Sequence, residues 1–139
     1  MSSSKNKVLA QHIIEAIFNR TNIDVITELI AEDVLIHDTD KELAGLDQLR
    51  QGIMNLHHAF PDLHYMVEDL LEDNDRVVIR YKGKGTHCGA FRGIPPTGKN
   101  MTYTGILICR FKNGRLVEHW AVSDVLGMLQ QLGVISPAS

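Results

Sequence analysis

Residues 46–67 read LDQLRQGIMNLHHAFPDLHYMV, and the fold turns on a change inside that stretch. Up to Phe60 the apolar positions Leu46, Leu49, Ile53, Leu56 and Phe60 recur three and four apart, the spacing of one helix face. Pro61 breaks the pattern, because the residue before a proline is pushed out of helical dihedrals. Beyond it the period falls to two: Leu63, Tyr65 and Val67 alternate with His64, Met66 and Glu68, as side chains do on a strand. Helices therefore dominate before this point and strands after it.

Upstream, residues 5–20 carry Leu9, Ile13 and Ile17 on one helical stripe, with Ala16 beside them. Asn22 is placed to cap a second, short helix with Ile23, Ile26, Leu29 and Ile30. Val34-Leu35-Ile36-His37 reads as a short strand. Downstream, Asp73-Asn74-Asp75 is a turn. Val77, Ile79 and Tyr81 then alternate with Arg80, Lys82 and Lys84. Pro95 and Pro96 make residues 88–99 a loop, since proline cannot donate to a ladder. A further strand runs from Met101 to Phe111, Asn113-Gly114 turns it back, and Arg115 to Ser123 returns. A last helix with Leu126, Leu129 and Leu132 stops at Gly133. Gly83, Gly85 and Gly105 fall where the sheet would bend.

Segregated helices and strands predict an α+β fold. The N-terminal helices pack on a curved, mostly antiparallel sheet, forming a half-open cone around an apolar pocket. With 139 residues the chain forms one domain, 1–139, with an ordered core over about 5–134 and loose ends at the serine-rich start and at residues 136–139. Hydrophobic residues make up 44% and charged residues 22%, enough to bury a core without metal or disulfide. A formal charge of -3 with no basic cluster argues against nucleic acid. The apolar runs are too short to span a membrane, no signal peptide is expected, and two unpaired thiols, Cys88 and Cys109, fit a cytoplasmic protein.

Three stretches hold the candidate chemistry, each where a strand meets a loop: His37-Asp38, Gly85-Thr86-His87, and Glu118 through Asp124. Asp124 lies four residues after Trp120 among apolar neighbours, where lost hydration would raise a carboxylate towards the range of a general base. It also precedes an apolar helix and has the chemistry of an N-cap, and both readings stand. His119 and Trp120 are strand neighbours, so only one faces the pocket without a bulge. His37 and His119 are the further catalytic candidates. Trp120, Tyr103, His87, Phe60 and Leu107 are the candidates to line a ligand. His37, His87 and His119 lack the local spacing of a zinc site, so no metal is expected.

Phe60-Pro61-Asp62-Leu63, the run Gly85 to Lys99 with its paired prolines, Glu118-His119-Trp120 through Asp124, and Gln130-Gln131-Leu132-Gly133 together resemble the SnoaL-like polyketide cyclases. The resemblance implies the cone-shaped nuclear transport factor 2-like fold and a homodimer or tetramer built on the outer sheet face. It also implies aldol-type ring closure without a cofactor. By motif position it gives the acid/base role to Asp124, a supporting role to His119 and a polar strand-end position to His37. Tyr103, Gly105, Leu107 and Cys109 form one strand face that is small or apolar apart from the tyrosine, so the expected ligand is a small, largely apolar molecule. Two functions remain open: an acid/base lyase, cyclase or isomerase acting on a carbonyl compound, and a non-catalytic binding module of the same shape. A third reading uses the outer sheet face, with Arg80, Lys82, Lys84, Arg110 and Lys112, as an interaction surface.

Overall fold

The computed structural model describes residues 3–38 and 41–136. Helix α1 (Ser3–Ile13) passes into a π-helical turn (Ile14–Asn19), then a single 3-10 turn (Ile23–Val25) and the short α2 (Ile26–Leu29). Strands β1 (Ile30–His37) and β2 (Glu42–Ala44) follow, then α3 (Leu46–Ala59). Strands β3 (His64–Asp73), β4 (Arg76–Thr86), β5 (Asn100–Lys112) and β6 (Arg115–Ser123) come next, and α4 (Val125–Gln131) ends the described order. The loose ends expected at the termini fall largely on residues outside the described range.

The four long strands form the meander that the sequence predicts. The full sheet has six strands in the order β2-β1-β6-β5-β4-β3. Every neighbouring pair is antiparallel except β1 with β6, which run parallel. Asn113 and Gly114 both have positive φ, 53° and 79°, as a tight two-residue turn requires. β1 starts four residues earlier than the apolar run suggested, and β2 is an addition. Asn22 precedes the 3-10 turn but its side chain caps nothing, contrary to expectation.

The sheet is curved and open, and α1, the π turn and α3 cover its concave face. Ile13, Ile14 and Ile17 pack there with Leu49 and Ile53 of α3 and Ile79, Cys109 and Leu116 of the strands. Burying such side chains contributes roughly 1.5–3 kcal/mol each and holds the layers together. This is the α+β cone of the nuclear transport factor 2-like proteins. Gln131 ties α4 to β5, accepting from Thr102 N at 2.8 Å and donating to Thr102 O at 2.7 Å. The proline loop is pinned to the end of α3, where Cys88 N donates to Ala59 O at 2.9 Å.

On the convex face three of the cations are paired. Arg80 meets Asp69 at 2.7 Å, Arg110 meets Glu118 at 3.0 Å, and Lys82 lies 3.9 Å from Glu68.

Candidate functional site

The concave sheet face and α3 enclose an open cavity of about 760 Å³. Strand alternation decides what reaches it. On β6 the inward positions are His119, Ala121 and Ser123, while Trp120 and Val122 point outward. β5 turns Tyr103 and Leu107 inward, β4 turns Tyr81 and β3 turns Tyr65. Opposite, α3 presents Leu49, Gly52, Ile53 and Leu56 with the amides Gln48 and Asn55. Asp38 and Lys41, Phe91 and Arg92 of the proline loop, and Val125 and Met128 of α4 complete the lining.

Three tyrosines cluster on the sheet wall. Tyr103 donates its hydroxyl to Tyr65 at 2.8 Å, and Tyr81 joins the same hydrogen-bonded group. Tyr65 and Tyr81 stack with centroids 4.3 Å apart, and Tyr103 meets both edge-on. Register makes this arrangement fit. Gly83 pairs with Tyr65 on one side and Tyr103 on the other, and Gly105 pairs with Tyr81. A Cβ on Gly83 would stand 2.9 Å from the Tyr103 ring, and one on Gly105 would run into the Tyr81 hydroxyl. The glycines read as bends are therefore, at 83 and 105, clearance for tyrosine rings. β3 is an edge strand, and Asn19 satisfies its free side by accepting from Tyr65 N at 2.7 Å and donating to Tyr65 O at 3.1 Å. Burial holds all three phenols above the ordinary tyrosine range, so they remain protonated donors.

His119 shares the cavity. It is 8% exposed, and burial pushes its imidazole down to about 4 against the pull of the nearby Asp38 carboxylate. The ring is therefore neutral near pH 7. No group among the described residues hydrogen-bonds its nitrogens. A neutral imidazole with unoccupied nitrogens, lining the same partly apolar cavity as the three phenols, can accept a proton and hand it back.

Of the residues singled out from sequence, His119, Tyr103 and Leu107 line this cavity. The others lie elsewhere. Asp124 is exposed and caps α4, accepting from Gly127 N at 2.9 Å, and it is absent from the cavity lining. Its expected desolvation does not occur, because position 124 lies past the end of β6 and its carboxylate turns to cap α4 at the exposed surface. His37 pairs with Trp120 across the parallel β1–β6 ladder and shares its outer face. There it donates to Glu42 at 3.0 Å and Glu118 at 2.7 Å and stacks on Trp120 at 5.2 Å. Trp120 thus belongs to the convex surface, with Arg76 5.1 Å from its ring centroid. His87 and Phe60 are fully buried beneath the proline loop, 5.5 Å apart. Phe91, 5.2 Å from Phe60, is the member of that aromatic group that reaches the cavity.

Sequence reasoning missed Tyr65, Tyr81 and the amides of α3 as site residues. The wall is more polar than the β5 face alone suggested, because its hydroxyls come from three strands. The available signal was the alternation of tyrosine and glycine at Tyr81, Gly83, Tyr103 and Gly105.

The family model of the SnoaL-like polyketide cyclases matches residues 8–132. The aklanonic acid methyl ester cyclase DauD of Streptomyces sp. (strain C5) is 27% identical over 129 residues, covering 90% of this chain and 80% of that protein. The aklanonic acid methyl ester cyclase DnrD of Streptomyces peucetius is also 27% identical, covering 90% of this chain and 88% of its own length. The solved structure of IdmH from Streptomyces antibioticus superposes with a TM-score of 0.81 at 32% identity, covering 93% of this chain and 99% of that one.

Proposed function

The chain belongs to the SnoaL-like polyketide cyclase family, and from that premise we propose that it is a cofactor-independent acid/base enzyme, a lyase, cyclase or isomerase. Its substrate is a small, largely apolar carbonyl compound held in the cavity. The observation that carries the proposal is the buried, neutral His119 lining the same cavity as the tyrosine cluster.

His119 takes the proton from a carbon α to a carbonyl, and the electron pair of that C–H bond moves into an enolate. A hydroxyl of the tyrosine cluster donates a hydrogen bond to the enolate oxygen, which is where charge develops. In an aldol closure the enolate carbon bonds to a second carbonyl carbon of the same molecule. The alkoxide so formed recovers the proton from the imidazolium. An imidazole of low basicity in the empty cavity gains basicity as the enolate forms beside it, and Asp38 favours the charged ring. The base role that family position assigns to Asp124 passes in this reading to His119, since Asp124 faces solvent.

The test is α-carbon deuterium exchange in heavy water. Aromatic β-dicarbonyl esters, aklanonic acid methyl ester among them, are followed by mass spectrometry. Removing a positioned general base costs on the order of 10²–10⁴ in rate, so His119→Gln should lose exchange and cyclised product while Asp124→Asn keeps both. Exchange at the wild-type rate in His119→Gln refutes the role of the imidazole. Ligand bound and recovered unchanged, with no exchange by the wild-type protein, supports the binding module instead.

A further inference from the structure

Eleven glycines occur in the chain, and ten have a local reason. Gly45, Gly93, Gly98, Gly114 and Gly133 have positive φ. Gly83, Gly85, Gly89, Gly105 and Gly127 lie where an added Cβ would press on a neighbour at under about 3.2 Å. Gly52 alone has neither reason. It sits in the middle of α3 with no positive φ, and a Cβ built on it meets nothing within 4 Å.

Glycine is among the poorest residues for a helix interior, so Gly52 weakens α3 without serving any packing need of the fold. Gly52, Gln48 and Asn55 are exposed, but they edge the cavity and not a plain outer surface. Gly52 lines the cavity, and so do its helical neighbours one turn away: Gln48 and Leu49 before it, Asn55 and Leu56 after it. The bare backbone leaves open space at that edge of the wall, between two amide side chains. Asn55 accepts from Gln51 at 2.8 Å, which leaves its own amide protons for other partners.

We propose that Gly52 is a specificity-determining residue, the position that sets how bulky a ligand can lie against α3. A side chain there would project into the space the ligand occupies, while Gln48 and Asn55 offer hydrogen bonds on either side. The inference rests on the reading of this cavity as the ligand site.

Two variants and two probes test it. Gly52→Ala and Gly52→Leu are compared with wild type for binding of alizarin, a flat three-ring quinone, by absorbance titration, and of acetophenone, a single ring, by calorimetry. Gly52→Leu should weaken alizarin binding at least tenfold and leave acetophenone binding within about twofold. Gly52→Ala should lie between, and its melting temperature should rise by about 3 °C, as a better helix former predicts. Unchanged alizarin binding in Gly52→Leu overturns the inference and leaves the cavity reading intact. Equal losses for both probes overturn it too, as does a lowered melting temperature in Gly52→Ala, which would make the glycine a requirement of the fold. Failure of the wild-type protein to bind either probe removes both the inference and the cavity reading beneath it.

Discussion

Because His119 is neutral only by virtue of its burial, acid should destabilise the fold through it. In the unfolded chain its pKa returns to the ordinary 6.5, against about 4 in the native cavity. Between those values the unfolded chain binds the proton and the native state does not. Stability therefore falls as pH drops through that window. Above about 6.5 the contribution vanishes, and below about 4 the full deficit persists. At about 1.4 kcal/mol per pH unit, the deficit amounts to about 3 kcal/mol. The perturbation is His119→Phe, which keeps a ring of similar bulk in the wall and removes the titration. The assay is urea unfolding of both proteins at intervals from pH 7 to pH 4. His57, also lowered by burial, is present in both proteins and cancels in the comparison. Wild type should lose about 3 kcal/mol more than the variant over this range, an order-of-magnitude value. If the two stabilities fall in parallel, the imidazole is hydrated in the native state, and its proposed role as a neutral, desolvated base falls with it.

Three further outcomes follow from other residues. Asp124→Ala should cost about 1 kcal/mol in urea unfolding, as the loss of an N-cap does, while proton exchange stays within about twofold; lost exchange with unchanged stability would return the base to Asp124. Gly105→Ala drives a methyl into Tyr81 and should cost about 1–3 kcal/mol and weaken ligand binding, and an unaltered melting curve would mean that the tyrosine cluster is loosely held. His37 is raised above its usual pKa by its bond to Glu118 and then by that to Glu42, so its stabilisation is full below about 6.5 and is lost as pH rises through the native value. The melting-temperature advantage of wild type over His37→Gln should accordingly shrink between pH 6 and pH 9, and a constant difference would contradict an ionised clamp.

Much of the architecture was legible in local pattern. The apolar stripe of α3, its stop at Pro61, the period of two beyond it and the Asn113-Gly114 turn each depend on neighbours within a few residues. Helix periodicity, proline geometry and positive-φ turns are short-range physics. The family motifs are local strings as well, and they led to the right fold. Residues from distant segments were another matter. Nothing near Ile36 or His37 in sequence says that β1 lies parallel to β6, yet that pairing sets His37 beside Trp120 on the convex face and Ile36 beside His119 on the concave one. Alternation within β6 shows that His119 and Trp120 part company, but only the helices packed on one face decide which of them is buried. The tyrosine cluster needed three strands in register, with Gly83 and Gly105 across from the rings. Asp124 shows the same division. Its chemistry suits both a cap and a base, and its place between the end of β6 and the start of α4, beside the covered face and not on it, turned the carboxylate to solvent.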